Sequence, residues 1–385
     1  MLSLRGGCSC ILRCIVAIAT ETRSGLLSLN LRTTTGVSLA KRMTSIQHVI
    51  HSYFIWLILL SYFAAAFFPG LGLSIRSAEF GSIALGPSRI ALSLPPAMLA
   101  FLLLNAGLGA RSKDLGAVAR YPRLLAAGVA GNLFAPLAFI AAVSITMKFW
   151  HNPEEVQQIL TGLALMAAMP IAGASTAWAQ NANGNLALSL GLVLLTTLLS
   201  PVLTPVVLHS VAFLAAGDYS EDLHELASNG AGAFLGAWVI LPSLLGIAGH
   251  RLLGETATAS ISPYLKLANS IVLILLNYSN AALSLPKLIS EPDLDFLAAI
   301  LAIVGLLCAA MFAAGYLIAW SFRTDRAGAA SLMFGLGMNN NGAGLVLASL
   351  ALSDHPAVMI PVIVYNLTQH LFASLVDKIL TRKFD

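Results

Sequence analysis

Two polar, glycine-rich interruptions inside otherwise apolar runs constrain this chain more than any other feature. They are Pro170-Ile-Ala-Gly-Ala-Ser-Thr-Ala-Trp-Ala-Gln-Asn-Ala-Asn-Gly-Asn185 and Phe334-Gly-Leu-Gly-Met-Asn-Asn-Asn-Gly-Ala-Gly344. The runs themselves are those of a membrane protein: 58% of residues are hydrophobic, 10% are charged and the mean hydropathy is +0.84. Lipid-exposed backbone without internal hydrogen bonds costs several kcal/mol per group, so such interruptions persist at membrane depth only inside protein or beside water. Two of them half a chain apart point to a transporter whose binding site is built from broken helices between inverted repeats.

The 385 residues accommodate roughly ten spans of about 20 residues. The apolar segments fall at 50–69, 88–109, 122–147, 156–181, 184–213, 229–249, 262–284, 294–322, 327–352 and 356–380, with breaks near Ile171 and Met338. The breaks occupy the fourth place in each set of five. An odd number of spans per half inverts the second half, so the expected architecture is all-α, with two inverted five-helix repeats at about 50–213 and 229–380 and with segments four and nine discontinuous.

Residues 1–42 carry six Arg or Lys against one acid, Glu21. They read either as a leader or transit-like segment or as an over-long gene model with Met43 as the true start, and are set aside from a single membrane domain over 43–385. A transit peptide would allow a plastid envelope; otherwise a cell or inner membrane is expected. Basic loops (Arg111, Lys113, Arg120 and Arg123; Arg251; Arg323 and Arg326; Lys378, Arg382 and Lys383) alternate with acidic ones (Glu154 and Glu155; Asp218, Glu221, Asp222 and Glu225; Glu291, Asp293 and Asp295; Asp354), which places both termini in the cytoplasm.

No carboxylate falls near a predicted midplane, which argues against a carboxylate proton relay or an intramembrane hydrolase; no phosphate loop or basic nucleic-acid patch is present. Cys8, Cys10, Cys14 and Cys308 form neither a disulfide framework nor a zinc spacing. What remains at depth is neutral oxygen and nitrogen. Unwound carbonyls with Ser, Thr and Asn oxygens suit a sodium ion, and half-helix N-termini suit an anionic group. The alternative is that the amides only satisfy freed backbone. Asn105, Asn132, Asn277 and Asn280 either line a cavity or make interhelical hydrogen bonds.

The runs Gly184-Asn-Leu-Ala-Leu-Ser-Leu-Gly191, Thr197-Leu-Leu-Ser-Pro-Val-Leu-Thr-Pro205 and Gly337-Met-Asn-Asn-Asn-Gly342 closely resemble the bile acid:sodium symporter family, and the similarity runs from about residue 50 to 380. The resemblance implies a core domain (spans three to five and eight to ten), a panel domain (one, two, six and seven), and sodium-coupled uptake of an organic anion. It implies a sodium set of Ser175, Thr176, Ser189, Asn339, Leu336 and Met338, the last two able to contribute main-chain carbonyls. Candidate substrate residues are Asn132, Asn181, Asn340, Asn341, Asn105 and Asn277. The family pattern is departed from at five places: its Glu in helix nine is Gly335 and its Gln there is Asn339, a Gln in helix three falls at Gly131, the Asn of its Ser-Asn pair is Thr176, and a Thr in helix five is Val193. The expected partners are sodium, a small organic anion (a keto acid, a pantoate-like acid or a sterol acid) and the bilayer, with no nucleic acid and no organic cofactor. A sodium-independent facilitator and a non-transporting membrane binding protein are the alternative readings, and the oligomeric state is left open.

Overall fold

The computed structural model describes residues 54–85, 88–109 and 120–382. The leader, the start of the first expected span, Arg111, Lys113 and Lys383 lie outside the described residues. Among the described residues the regular structure is helical apart from one hairpin. It opens with α1 (Phe54–Phe67) and α2 (Gly70–Ser77), which meet at 91° across Phe68-Pro69. A residue before proline is driven out of the helical region. The corner is tied down by the Tyr278 hydroxyl, which donates to the Phe68 carbonyl at 2.5 Å.

The antiparallel strands β1 (Glu79–Leu85) and β2 (Ser88–Ser93) follow, with Ile83 opposite Ile90. This hairpin departs from the all-helical expectation, which started the second span at 88. The physical reason lies in Pro95 and Pro96: proline is accepted only in the first turn of a helix, so α3 (Leu94–Leu108) cannot begin much earlier.

The remaining helices are α4 (Pro122–Thr146), α5 (Pro153–Ala168), α6 (Ala174–Asn181), α7 (Leu186–Ala212), the short surface helix α8 (Asp218–Glu225) and α9 (Ala231–Leu235), which is flanked by wide turns. Then come α10 (Leu241–Ala281), α11 (Leu285–Ser290), α12 (Leu294–Ser321), α13 (Arg326–Gly337), α14 (Asn341–Ala351) and α15 (Met359–Arg382). Among the described residues, five helical stretches are long and apolar enough to cross a bilayer, or six if α1 and α2 count as one bent span. Large apolar side chains face outward, among them Trp56, Leu60, Phe149, Leu301, Leu306 and Trp320. So much exposed apolar surface is tolerable only in lipid, and the molecule is an integral, multi-pass membrane protein. The inside is equally distinct: Leu163, Ala164, Leu165 and Met166 of α5 are fully buried.

Helix α10 is not one rod. Gly254 has φ 78° and ψ 168°, a conformation open to glycine and strained for other residues. The contacts show that the chain folds back there. Leu104 of α3 approaches Gly246, while its neighbour Asn105 donates through Nδ2 to the Leu265 carbonyl (2.9 Å) and to Asn269 Oδ1 (3.1 Å). A straight helix would hold residues 246 and 265 about 28 Å apart at 1.5 Å per residue. The predicted loop at 250–261 is therefore a helical hairpin whose two arms both pack on α3.

The contact between α3 and the first arm depends on glycines. A Cβ on Gly246 would lie 2.1 Å from the Leu104 carbonyl oxygen and 2.9 Å from the Gly107 Cα, backbone that has nowhere to move. Gly246→Ala is expected to destabilise by about 1–3 kcal/mol, the usual cost of overpacking, seen as a lower thermal midpoint in detergent. Gly249→Ala, whose Cβ would meet only the flexible end of Leu108 at 3.1 Å, is expected to change the midpoint far less.

Candidate functional site

The two polar interruptions of the sequence break their helices and are joined through their main chains. Helix α5 stops at Ala168 and α6 starts at Ala174; α13 stops at Gly337 and α14 starts at Asn341. Pro170 has no N–H and forces Met169 out of the helical region (ψ 145°), which ends α5. In the gap Ile171 pairs antiparallel with Asn339: Ala172 N–H donates to the Met338 carbonyl and Asn340 N–H to the Pro170 carbonyl, each at 2.9 Å. This two-residue ladder supplies partners that an unwound segment would otherwise lack. Four half-helix ends thus converge. The N-termini of α6 and α14 bring partial positive charge, and the C-termini of α5 and α13 bring partial negative charge.

Side chains brace the junction. Asn339 donates through Nδ2 to the Met166 carbonyl (3.0 Å) and through its main-chain N–H to Gln369 Oε1 (3.0 Å). Ile171 N–H donates to Thr196 Oγ1 (3.2 Å), and the Tyr365 hydroxyl donates to the Gly337 carbonyl (3.3 Å). Asn340 caps α14, its Oδ1 accepting from Ala343 N–H at 3.3 Å.

The sodium set inferred from sequence falls into two groups. Ser175, Thr176 and Ser189 meet where α6 packs on α7: the Ser189 hydroxyl donates to Thr176 Oγ1 at 3.2 Å, and Ser175 Oγ is buried without a hydrogen-bond partner. Leu336, Met338 and Asn339 are buried at the junction, where Asn339 Oδ1 is also unpartnered and the Met338 carbonyl already accepts from Ala172. Unpartnered buried oxygens fit a hard cation, which needs acceptors and no donors.

The candidate substrate residues scatter more. Asn340 and Asn341 are at the junction, Asn341 buried with neither amide atom partnered. Asn132 is buried in α4 with its Oδ1 unpartnered. Asn181 is exposed at the end of α6, and Asn105 is engaged with α10 as described above. Asn277, in the second arm of α10, accepts at Oδ1 from Tyr62 OH (3.4 Å) and from Asn366 Nδ2 (3.3 Å).

The two positions where the family pattern gives way to glycine, Gly335 and Gly131, are surrounded by apolar groups. A Cβ on Gly335 would meet Leu192 at 3.1 Å and Ile171 at 3.9 Å; one on Gly131 would meet Ile318 at 2.6 Å and Leu336 at 2.9 Å. The chain has closed over the space that a carboxylate and an amide would occupy.

Sequence reasoning missed Thr196, Gln369, Asn366 and Tyr62. Gln369 continues a buried polar chain: its Nε2 donates to Asn366 Oδ1 (3.4 Å), and Asn366 Nδ2 donates to the Tyr62 hydroxyl (2.9 Å). The junction is thereby linked to α1 and to the second arm of α10. The available signal was the three-residue spacing of Asn366 and Gln369, which puts both on one face of α15.

Two comparisons bear on identity. The family model of the Sodium Bile acid symporter family matches residues 96–291, just over half of the chain, a stretch that contains the first break but not the second. An uncharacterized protein YbaS of Bacillus subtilis (strain 168) is 28% identical over 288 residues, covering 74% of this chain and 88% of the relative. With a multi-pass helical body and the matched region running from α3 to the end of α11, the chain belongs to the sodium bile acid symporter family.

Proposed function

We propose that this protein is a secondary-active symporter that couples sodium entry to uptake of an organic anion by alternating access. The reading takes ten spans: α1, α3, α4, α5 with α6, α7, the two arms either side of Gly254, α12, α13 with α14, and α15. They form inverted repeats over 50–213 and 229–380 within one domain at 43–385, with both termini cytoplasmic, and the core moves against the panel. The observation that carries it is the main-chain pairing of Ile171 with Asn339. That pairing supports a site in which helix N-termini receive the anion while carbonyl ends and hydroxyl oxygens hold the cation.

Ser175, Thr176, Ser189 and Asn339, with the Leu336 and Met338 carbonyls, are the proposed sodium ligands. Asn340 and Asn341 are the proposed substrate contacts nearest the junction, with Asn132, Asn181, Asn105 and Asn277 as further polar residues of the same role. The substrate is a carboxylate of the keto-acid, pantoate-like or sterol-acid class. In proteoliposomes with an inward sodium gradient, replacing sodium by potassium or choline is expected to lower the initial rate of uptake of such an acid about tenfold or more. An unchanged rate defeats the coupling.

That unchanged rate is what the second reading, a sodium-independent facilitator, expects. It is favoured by the apolar packing of Leu192 and Ile171 about Gly335, which leaves the junction without a fixed negative charge.

A further inference from the structure

Where the C-terminal ends of α4 and α7 meet the N-terminal end of α5, a groove of about 420 Å³ lies outside both proposed ligand sets. Its floor is apolar and buried, made by Met147, Val156 and Leu160, and its flanks are Ile145 and Phe213, 60% and 79% exposed. The groove therefore opens onto the apolar surface that faces lipid. One wall is fixed by Gln157, whose Oε1 accepts from Ala216 N–H at 2.8 Å and so ties the loop after α7 to α5.

The rim is charged at one point. Lys148 is the one charged residue among those lining the groove. Helix α4, 25 residues long, covers about 38 Å at 1.5 Å per residue, more than the roughly 30 Å of a hydrocarbon core. With Arg120 and Arg123 at its other end, Lys148 stands at headgroup depth, beside Trp150, a residue type that favours the membrane boundary. The carboxylates nearest in sequence do not neutralise it. Glu155 accepts from Trp150 Nε1 (2.6 Å) and from Asn152 Nδ2 (2.5 Å), one donor on each oxygen, and Glu154 accepts from the Tyr219 hydroxyl. Among the described residues Lys148 is in no ion pair.

We propose that this groove is a binding site for an anionic phospholipid, with an acyl chain along Met147, Val156 and Leu160 and the phosphate against the Lys148 ammonium. A choline headgroup would bring a second cation beside Lys148; a phosphatidylglycerol headgroup brings none. The apolar floor calls for a hydrocarbon chain, and the unpaired cation at its mouth calls for an anion at headgroup depth. A lipid seated there would bridge α4, α5 and α7 at the start of the helix that leads into the junction. The proposal requires nothing of the symporter reading.

The test uses the purified full-length protein in a non-ionic detergent. Its thermal midpoint is followed as dioleoylphosphatidylglycerol or dioleoylphosphatidylcholine is added, and native mass spectrometry counts the lipid retained. The half-saturating mole fraction of phosphatidylglycerol is expected to be about fivefold below that of phosphatidylcholine, the increment that one basic residue gives at an anionic lipid surface. Lys148→Gln changes an exposed side chain, so it is expected to keep the midpoint in detergent alone and to lose the preference, while Lys148→Arg keeps it. Ala141→Phe, which fills the groove, is expected to weaken the binding of both lipids, and glycerol phosphate alone is expected to give no shift. Equal responses to the two lipids, or an undiminished preference in Lys148→Gln, overturn the proposal. So does wild-type lipid binding in Ala141→Phe, which would place the acyl chain elsewhere, or a full response to glycerol phosphate, which would make the rim a site for a soluble anion.

Discussion

Replacing Asn339 by Leu is expected to reduce substrate uptake to background and to abolish any sodium- or substrate-dependent thermal shift. Asn339 is 3% exposed, and its Nδ2 donates to the Met166 carbonyl. That carbonyl has no N–H four residues ahead to bond it, since residue 170 is proline, and its other donor is the Met169 N–H at 3.3 Å. Leucine has the branched shape of asparagine but is larger; it removes the shorter of the two hydrogen bonds at the Met166 carbonyl and takes the unpartnered Oδ1 from the junction. Losing that hydrogen bond and crowding the site cost about 1–3 kcal/mol, so the variant should still fold, with a lowered midpoint, while its ligand response disappears. A variant that keeps a wild-type thermal shift would show that Asn339 only braces the crossing and contacts nothing transported.

The second large effect concerns Gly335. Gly335→Glu restores the residue type of the family motif and is nevertheless expected to be severely destabilising, by roughly 3 kcal/mol or more. The new Cβ would lie 3.1 Å from Leu192 and 3.9 Å from Ile171 on a fully enclosed stretch of α13. A carboxylate buried there without a partner bears the desolvation cost of a charge in an apolar setting. Combining it with Leu192→Ala opens the space and should recover a large part of the loss, most of all in high sodium, where the ion neutralises the charge. Thermal midpoints of the single and double variants in sodium and in choline measure this directly. If the single variant is as stable as the wild type, the junction is wetter than the packing around Gly335 implies, and the facilitator reading loses its main support.

Together these variants separate two ways of neutralising an anion's passage. With no carboxylate at position 335, a bound cation is compensated only by helix dipoles, neutral oxygens and the substrate itself. On the proposed symporter reading, that balance makes sodium and anion binding mutually dependent. By linkage each should tighten the other by the same factor.

Much of this was legible in the residues. Pro170 and the Asn339-Asn340-Asn341 run marked both breaks within a residue or two, because proline and stacked amides cannot continue an apolar helix without cost. The motifs Gly184–Gly191 and Gly337–Gly342 led to the family that the match over residues 96–291 bears out. Other features were not legible. The β1–β2 hairpin was hidden because a short apolar run such as Ser88–Ser93 reads equally as strand or helix start. The reversal at Gly254 was read as a loop, since a glycine in a polar stretch does not reveal a left-handed φ.

Local chemistry, then, decided on its own that this chain is a multi-pass membrane protein with two interrupted helices: apolar run length and backbone satisfaction are properties of each segment by itself. Tertiary structure alone decided which groups meet. The pairing of Ile171 with Asn339, the burial of Gly335 against Leu192, and the polar chain from Gln369 to Tyr62 join residues up to 304 positions apart. Such contacts follow from how helices pack, and that is settled by close approach and side-chain shape across the whole bundle rather than by any local pattern.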